Sequence, residues 1–261
     1  MLSYQHLYHA GNLADVHKHA LLAWVLDYLT QKDKPLSYVE THAGRGLYDL
    51  AAPEAVKTAE AAAGIGRLAA RFAPDHPYAR TLAQVRARWG AAAYPGSPLI
   101  AALALRRGDA MHLAELHPQE HAALVAALGP FGADIRREDG YRMAEALCPP
   151  TPRRGLMLVD PPYELRSEYD AIAPFLTRIH RRWNVGVLML WYPVLSHGAQ
   201  LPMVAAMRAA FPDALHHELT FPPIRPGHRM TGTGLFVVNP PWGLAQEAAR
   251  LAALFSAPDT P

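Results

Sequence analysis

From residue 36 onward, short runs of consecutive apolar residues alternate with helix-length segments whose apolar positions recur every three or four residues. The runs at 36–40, 111–115, 134–136, 155–159, 185–190, 215–221 and 234–238 read as strands. Several are almost wholly apolar, as strands are when helices cover both faces of a sheet. Helical patterns occupy 16–29, 98–106, 119–128, 168–182, 203–210 and 244–255. Asp15 is expected to cap the first of them, and Gly129-Pro130 to stop the third. Alternation of this kind predicts an α/β chain built on a Rossmann-like, doubly wound, mainly parallel sheet of seven strands.

One interval breaks the rhythm. Between the first strand and the second lies far more chain than one crossover helix needs. Its middle, about 52–93, is rich in Ala and Arg and helix-prone, with Pro74 and Pro77 marking a break. We read it as a small helical insertion after the first strand, within a single domain spanning 1–261.

Composition narrows the class. At 261 residues, 51% hydrophobic and 18% charged, the chain has the apolar content for one sizeable core and is not disordered. No apolar run approaches the roughly 18–20 residues of a membrane span, and the N-terminus lacks a signal-peptide pattern. The single cysteine, Cys148, forms neither an internal disulfide nor a cysteine-based zinc site. A cytoplasmic, soluble protein is expected. The formal charge of +2 is too small to mark a nucleic-acid coat protein. The 14 histidines are scattered without metal-ligand spacing, so no metal is expected.

The strongest chemical signal is Asp160-Pro161-Pro162-Tyr163, directly after the apolar run 155–159. Ligands of open α/β sheets bind beyond the carboxyl ends of the strands, which is where this tetrapeptide falls. It suits methylation of an exocyclic base amine, whose lone pair is delocalised into the ring. Asp160 would accept one N–H and the Pro161 carbonyl the other, freeing that lone pair. Tyr163 offers a face for an extruded base to stack upon. A second copy, Asn239-Pro240-Pro241-Trp242, also follows an apolar run. Asn is neutral and supports developing positive charge less well, so this copy is assigned a structural part.

The nucleotide-type signal is Glu40-Thr41-His42-Ala43-Gly44-Arg45-Gly46, an acidic strand end running into a G-x-G loop. The full dinucleotide fingerprint fails, because Asp49 occupies the third glycine position. That disfavours a nicotinamide cofactor and leaves S-adenosylmethionine. Glu115, at the next strand end, is placed to accept from ribose hydroxyls, and Asp139-Gly140 could meet an adenine edge. Ahead of the first strand, residues 4–19 are dense in polar and aromatic groups, including Lys18 and His19.

The chain resembles the RlmJ-type family of bacterial 23S (large-subunit) ribosomal RNA adenine-N6 methyltransferases, from end to end. The residues that carry the resemblance are M-L-S-Y at the start, H-A-G-N-x-A-D-V from His9 and Lys18-His19. They continue with T-H-A-G-R-G from Thr41, Y-P-G-S-P-L-I-A from Tyr94, E-L-H-P from Glu115, Asp139-Gly140 and R-R-G-L from Arg153. D-P-P-Y-E from Asp160, L-W-Y-P from Leu190, R-M-T-G-T-G from Arg229 and N-P-P-W from Asn239 complete the set. The resemblance implies a Rossmann-like methyltransferase fold with a small helical insertion. It implies S-adenosylmethionine bound by His19, His42, Ser97, Glu115, Asp139, Gly140 and Asp160. It also makes Asp160 the catalytic residue and Tyr4 a contact to RNA.

Among basic residues, Lys18, Arg225 and Arg229 are the expected RNA contacts, the two arginines lying in the loop before the last strand. The expected partner is large-subunit rRNA, protein-free or in an early precursor, acted on by a monomer. Two other readings stay open on the residues alone. The D-P-P-Y loop could serve a DNA base or a protein side-chain amide, or the chain could be a non-catalytic RNA-binding module that keeps the fold.

Overall fold

Strand β6 (Gly155–Val159) shows why its sequence is apolar throughout. Leu156 and Leu158 pack on one side of the sheet with helix α1 (Leu13–Thr30), whereas Met157 and Val159 pack on the other with α7 (Arg166–Arg182). Side chains alternate across a strand, so a sheet covered on both faces asks for apolar residues at every position. The computed structural model describes residues 6–222 and 229–257.

The central sheet has seven strands, as expected. In chain order they are β1 (Ser37–Glu40), β4 (Ala110–Ala114), β5 (Asp134–Arg136), β6, β7 (Val187–Leu195), β8 (Leu215–Thr220) and β9 (Met230–Val238). Their spatial order is β5-β4-β1-β6-β7-β9-β8. The first five pair in parallel, and β9 runs antiparallel between β7 and β8. Chain order therefore reverses between β1 and β6, the switch point at which such sheets open a crevice. The helices between strands are α4 (Ser97–Ala104), α5 (Pro118–Leu128), α6 (Gly140–Leu147), α7 and α8 (Leu201–Ala210), and α9 (Leu244–Ser256) follows the sheet.

Three elements were not expected from the sequence. Strands β2 (Leu47–Asp49) and β3 (Ala93–Pro95) form a separate antiparallel pair. At three residues each they are too short to show a period. Between them run α2 (Pro53–Thr58), a π-turn at Ala62–Gly66 and α3 (Pro77–Trp89). Helix α6 was not among the helices expected from the sequence. Asp139 caps this helix, accepting from the Arg142 N–H at 3.0 Å.

Helix α1 begins three residues before the expected start, and its cap is a correction. Asn12, not Asp15, is the N-cap, its side chain accepting from the Asp15 N–H at 2.9 Å. This frees the Asp15 carboxylate for the interior. The helix is buried on nearly every side, and Asp15, His17, Lys18 and His19 are all at most 5% exposed. Such groups are tolerable inside only when paired, and each has partners described below.

Candidate active site at the switch point

A cavity of about 410 Å³ opens where β1, β4 and β6 end, closed on one side by the start of α1. Its walls include His19, His42, Ser97, Glu115, Asp139, Gly140, Asp160 and Pro161, residues scattered over 142 positions of sequence, together with Lys18.

The loop after β1 makes the floor. Gly44 has φ +63° and its N–H donates to Glu115 Oε2 at 2.8 Å, while the His117 N–H donates to Glu115 Oε1 at 2.7 Å. Burial raises the Glu115 pKa against those two amides, which lower it. Gly140 is needed for close approach: a Cβ there would lie 1.8 Å from the Thr41 carbonyl oxygen. Glu40 takes a different part from the ligand-facing one its strand-end place suggested. It is fully buried, accepting from Ser97 Oγ at 2.5 Å and from the Tyr38 hydroxyl at 2.8 Å. Its carboxyl thus holds Ser97 at the cavity wall.

Two neutral histidines flank the cavity. Burial lowers the His19 pKa to about 3, and Nδ1 of its ring pairs with the Tyr94 hydroxyl at 2.8 Å. Tyr94 in turn meets the Tyr78 hydroxyl of α3 at 2.9 Å, so α3 reaches the site through two tyrosines. Burial likewise lowers His42 to about 4, with Asp160 and Asp139 opposing. Its ring stands edge-on to Tyr141 at 5.0 Å.

Asp160 emerges just past β6. Lys18 Nζ donates to Asp160 Oδ2 at 2.6 Å and lies 3.2 Å from Asp15 Oδ1. Burial by itself would lower the Lys18 pKa, but Asp160 and then Asp15 outweigh it and raise it above the ordinary range. Asp15 also accepts from the Gly11 N–H at 2.9 Å and pairs with His6 Nε2 at 2.8 Å. Its pKa is pulled well below the usual range: burial opposes, and His6, Lys18 and His19 together prevail.

Tyr163 packs beside the cavity, with φ +54°. Its hydroxyl donates to the Trp191 carbonyl at 2.8 Å, and its ring lies 4.6 Å from that of Tyr169. Trp191 itself lines the cavity and carries the Lys18 ammonium 5.6 Å from its ring centre. Arg229 is exposed next to Met230, a wall residue. Tyr4 and Arg225 lie outside the described residues. In the second proline pair, Asn239 Nδ2 donates to the carbonyls of Asn184 and Gly186 at 2.9 and 2.8 Å, tying one loop to another.

Sequence reasoning missed Asp15 and Trp191. Asn12, three positions before Asp15, was the available sign that the acid was not needed as a cap. Nothing local marks Trp191, which the sheet alone carries to the cavity.

The family model described as ribosomal RNA large subunit methyltransferase D, RlmJ, matches residues 33–257. The chain belongs to this family. Within the RlmJ family it is similar to "Ribosomal RNA large subunit methyltransferase J" of Escherichia coli K12, at 37% identity over 95% of this chain and 90% of that one. The protein of the same name from Haemophilus influenzae is also 37% identical, over 96% and 92%. A crystal structure of a Legionella pneumophila protein superimposes with a TM-score of 0.84 at 35% identity, covering 95% of this chain and 94% of that one. The family model thus spans the seven-stranded sheet and the cavity residues from Thr41 to Met230.

Proposed function

We propose that the cavity binds S-adenosylmethionine and that the chain methylates N6 of an adenine in 23S ribosomal RNA. One observation carries the chemistry: in a chain of the RlmJ family, Asp160 and Pro161 line the cavity beyond β6, with Lys18 bonded to the carboxylate. The cavity also suits a nucleoside ligand. His117 Nδ1 and the Tyr141 hydroxyl are buried in its wall without a hydrogen-bond partner among the described residues, and buried polar atoms call for one. Ser97, Glu115, Asp139 and Gly140 would hold the cofactor, with His19 and His42 alongside. When bound, the cofactor supplies an electrophilic methyl group.

The protein's part is acceptance and positioning. The Asp160 carboxylate accepts one N–H of the adenine amine, and the Pro161 carbonyl accepts the other. Nitrogen then moves toward tetrahedral geometry and regains its lone pair. The Lys18 ammonium fixes the carboxylate's orientation, and Asp160 takes the proton the amine gives up. In this reading Trp191 supplies the aromatic wall of the base pocket, and Tyr163, beside the cavity and bonded to the Trp191 carbonyl, stacks on the base.

Tyr4, Lys18, Arg225 and Arg229 contact the RNA in this reading. A base must leave its stack to enter, which favours protein-free or early precursor rRNA. We take the protein to act as a monomer. No described helix is long and apolar enough to cross a membrane, and we place the protein in the cytoplasm, as one domain with 52–93 inserted.

The test is transfer of labelled methyl to protein-free rRNA from cells lacking this protein, with nucleoside analysis. N6-methyladenosine is expected in large-subunit rRNA only, and not with Asp160→Ala. Label in DNA or protein fractions, or cofactor binding with no transfer to any acceptor, would overturn the reading.

A further inference from the structure

Behind the cavity lies a run of buried polar side chains that the reaction does not itself use. Trp191 Nε1 donates to Thr233 Oγ1 at 2.8 Å, Thr233 Oγ1 meets His17 Nδ1 at 3.3 Å, and His17 Nε2 meets His217 Nδ1 at 2.9 Å. Thr233 and His17 are fully buried, and His217 is half-buried.

Donor and acceptor chemistry orders the run. An indole N–H only donates, so Thr233 accepts from Trp191, and its own hydroxyl hydrogen can go to His17 Nδ1. With the His17 proton then on Nε2, the ring donates to His217. Burial and the neighbouring His217 hold His17 neutral, which this order requires. Thr233 reaches its place because β9 closes against β7 in register, Pro193 opposite Thr233 and Tyr192 opposite Gly234. Gly234 leaves room for the Tyr192 ring, which a Cβ there would meet at 2.1 Å.

Trp191 is the residue so fixed, and it touches the base side of the site twice. Its ring carries the ammonium that holds Asp160, and its carbonyl holds the Tyr163 hydroxyl. We propose that Thr233 and His17 are positioning residues for methyl transfer, setting the Trp191 indole so that Lys18 is presented to the incoming adenine. This rests on the functional reading above.

Thr233→Val keeps shape and removes both hydrogen bonds; Thr233→Ser restores them. With intact chain and labelled indole nitrogen, the Trp191 N–H resonance is identified by its loss in Trp191→Phe. In Thr233→Val that resonance is expected to move, and KM for rRNA to rise about tenfold, the scale of one neutral hydrogen bond. Cofactor affinity stays unchanged, and Thr233→Ser recovers KM. His217→Ala, at the half-exposed end, should move the same resonance without endangering the fold. An unmoved resonance in both variants overturns the proposal, as does unaltered KM in Thr233→Val. Equal loss of cofactor binding and stability, unrescued by Ser, would also overturn it. No transfer by the unaltered chain would instead overturn the functional reading.

Discussion

Lys18 and Asp160, 142 residues apart, are joined at 2.6 Å, with the lysine side chain 6% exposed and the aspartate 13%. The pair couples α1 to the end of β6 and places a buried ammonium beside the carboxylate that we propose accepts the amine. Removing one member of a buried ion pair costs about 3–5 kcal/mol, because the other charge stays behind. Lys18→Met should therefore lower thermal stability strongly and cut methyl transfer by about a hundredfold or more. Adding Asp160→Asn should recover part of the stability and none of the activity, a contrast that melting curves and single-turnover rates will show.

Glu40 predicts a pH dependence of stability. Burial pushes its carboxyl up to about 8, against the opposing Ser97 and Tyr38 hydrogen bonds. A carboxyl raised in the folded state stabilises the fold while protonated. Its contribution is complete below 4.5 and fades as pH rises through about 8. Melting temperature should fall less between those limits in Glu40→Gln than in the unaltered chain; parallel curves would refute this.

Gly140→Ala forces a methyl group onto the Thr41 carbonyl, a backbone atom that cannot swing aside. Overpacking of this sort costs about 1–3 kcal/mol. Cofactor affinity, read by calorimetry, should fall with it, since α6 would have to withdraw from the β1 loop.

Glu115 is already committed to two backbone amides, at Gly44 and His117. Glu115→Ala leaves both N–H groups without their carboxylate and loosens the glycine loop. We expect cofactor binding to weaken by about ten- to a hundredfold, the effect of losing one or two charge-assisted bonds. RNA binding measured without cofactor should change little.

Arg229 is exposed beside wall residue Met230, and the proposed function gives it a phosphate contact. Arg229→Ala, alone or with Arg225→Ala, should weaken rRNA binding. The slope of log affinity against log salt should become shallower by about one for each phosphate that is no longer neutralised. Cofactor affinity should hold. Equal RNA affinities at two salt concentrations would remove this loop from the interface.

The strands show what is legible locally. Runs such as Gly155–Val159 announced themselves because burial on both faces writes an apolar residue at every position. Asp160, Glu115 and Asp139 were found because strand ends are where such sheets bind ligands, and each stands at one. The three-residue strands β2 and β3 left no periodic trace, and α6 was hidden behind the residue that caps it.

Residue type and spacing along the chain thus determined the α/β class, where the seven strands of the central sheet fall, and the loop residues that line the cavity. These are properties of short segments, set by periodicity and turn chemistry. Pairing was decided only when the sheet closed. That step brought Lys18 to Asp160, linked α3 to His19 through Tyr78 and Tyr94, and set Thr233 between Trp191 and His17. Each partner comes from a different element, and a buried polar group carries no local mark of which distant residue will satisfy it.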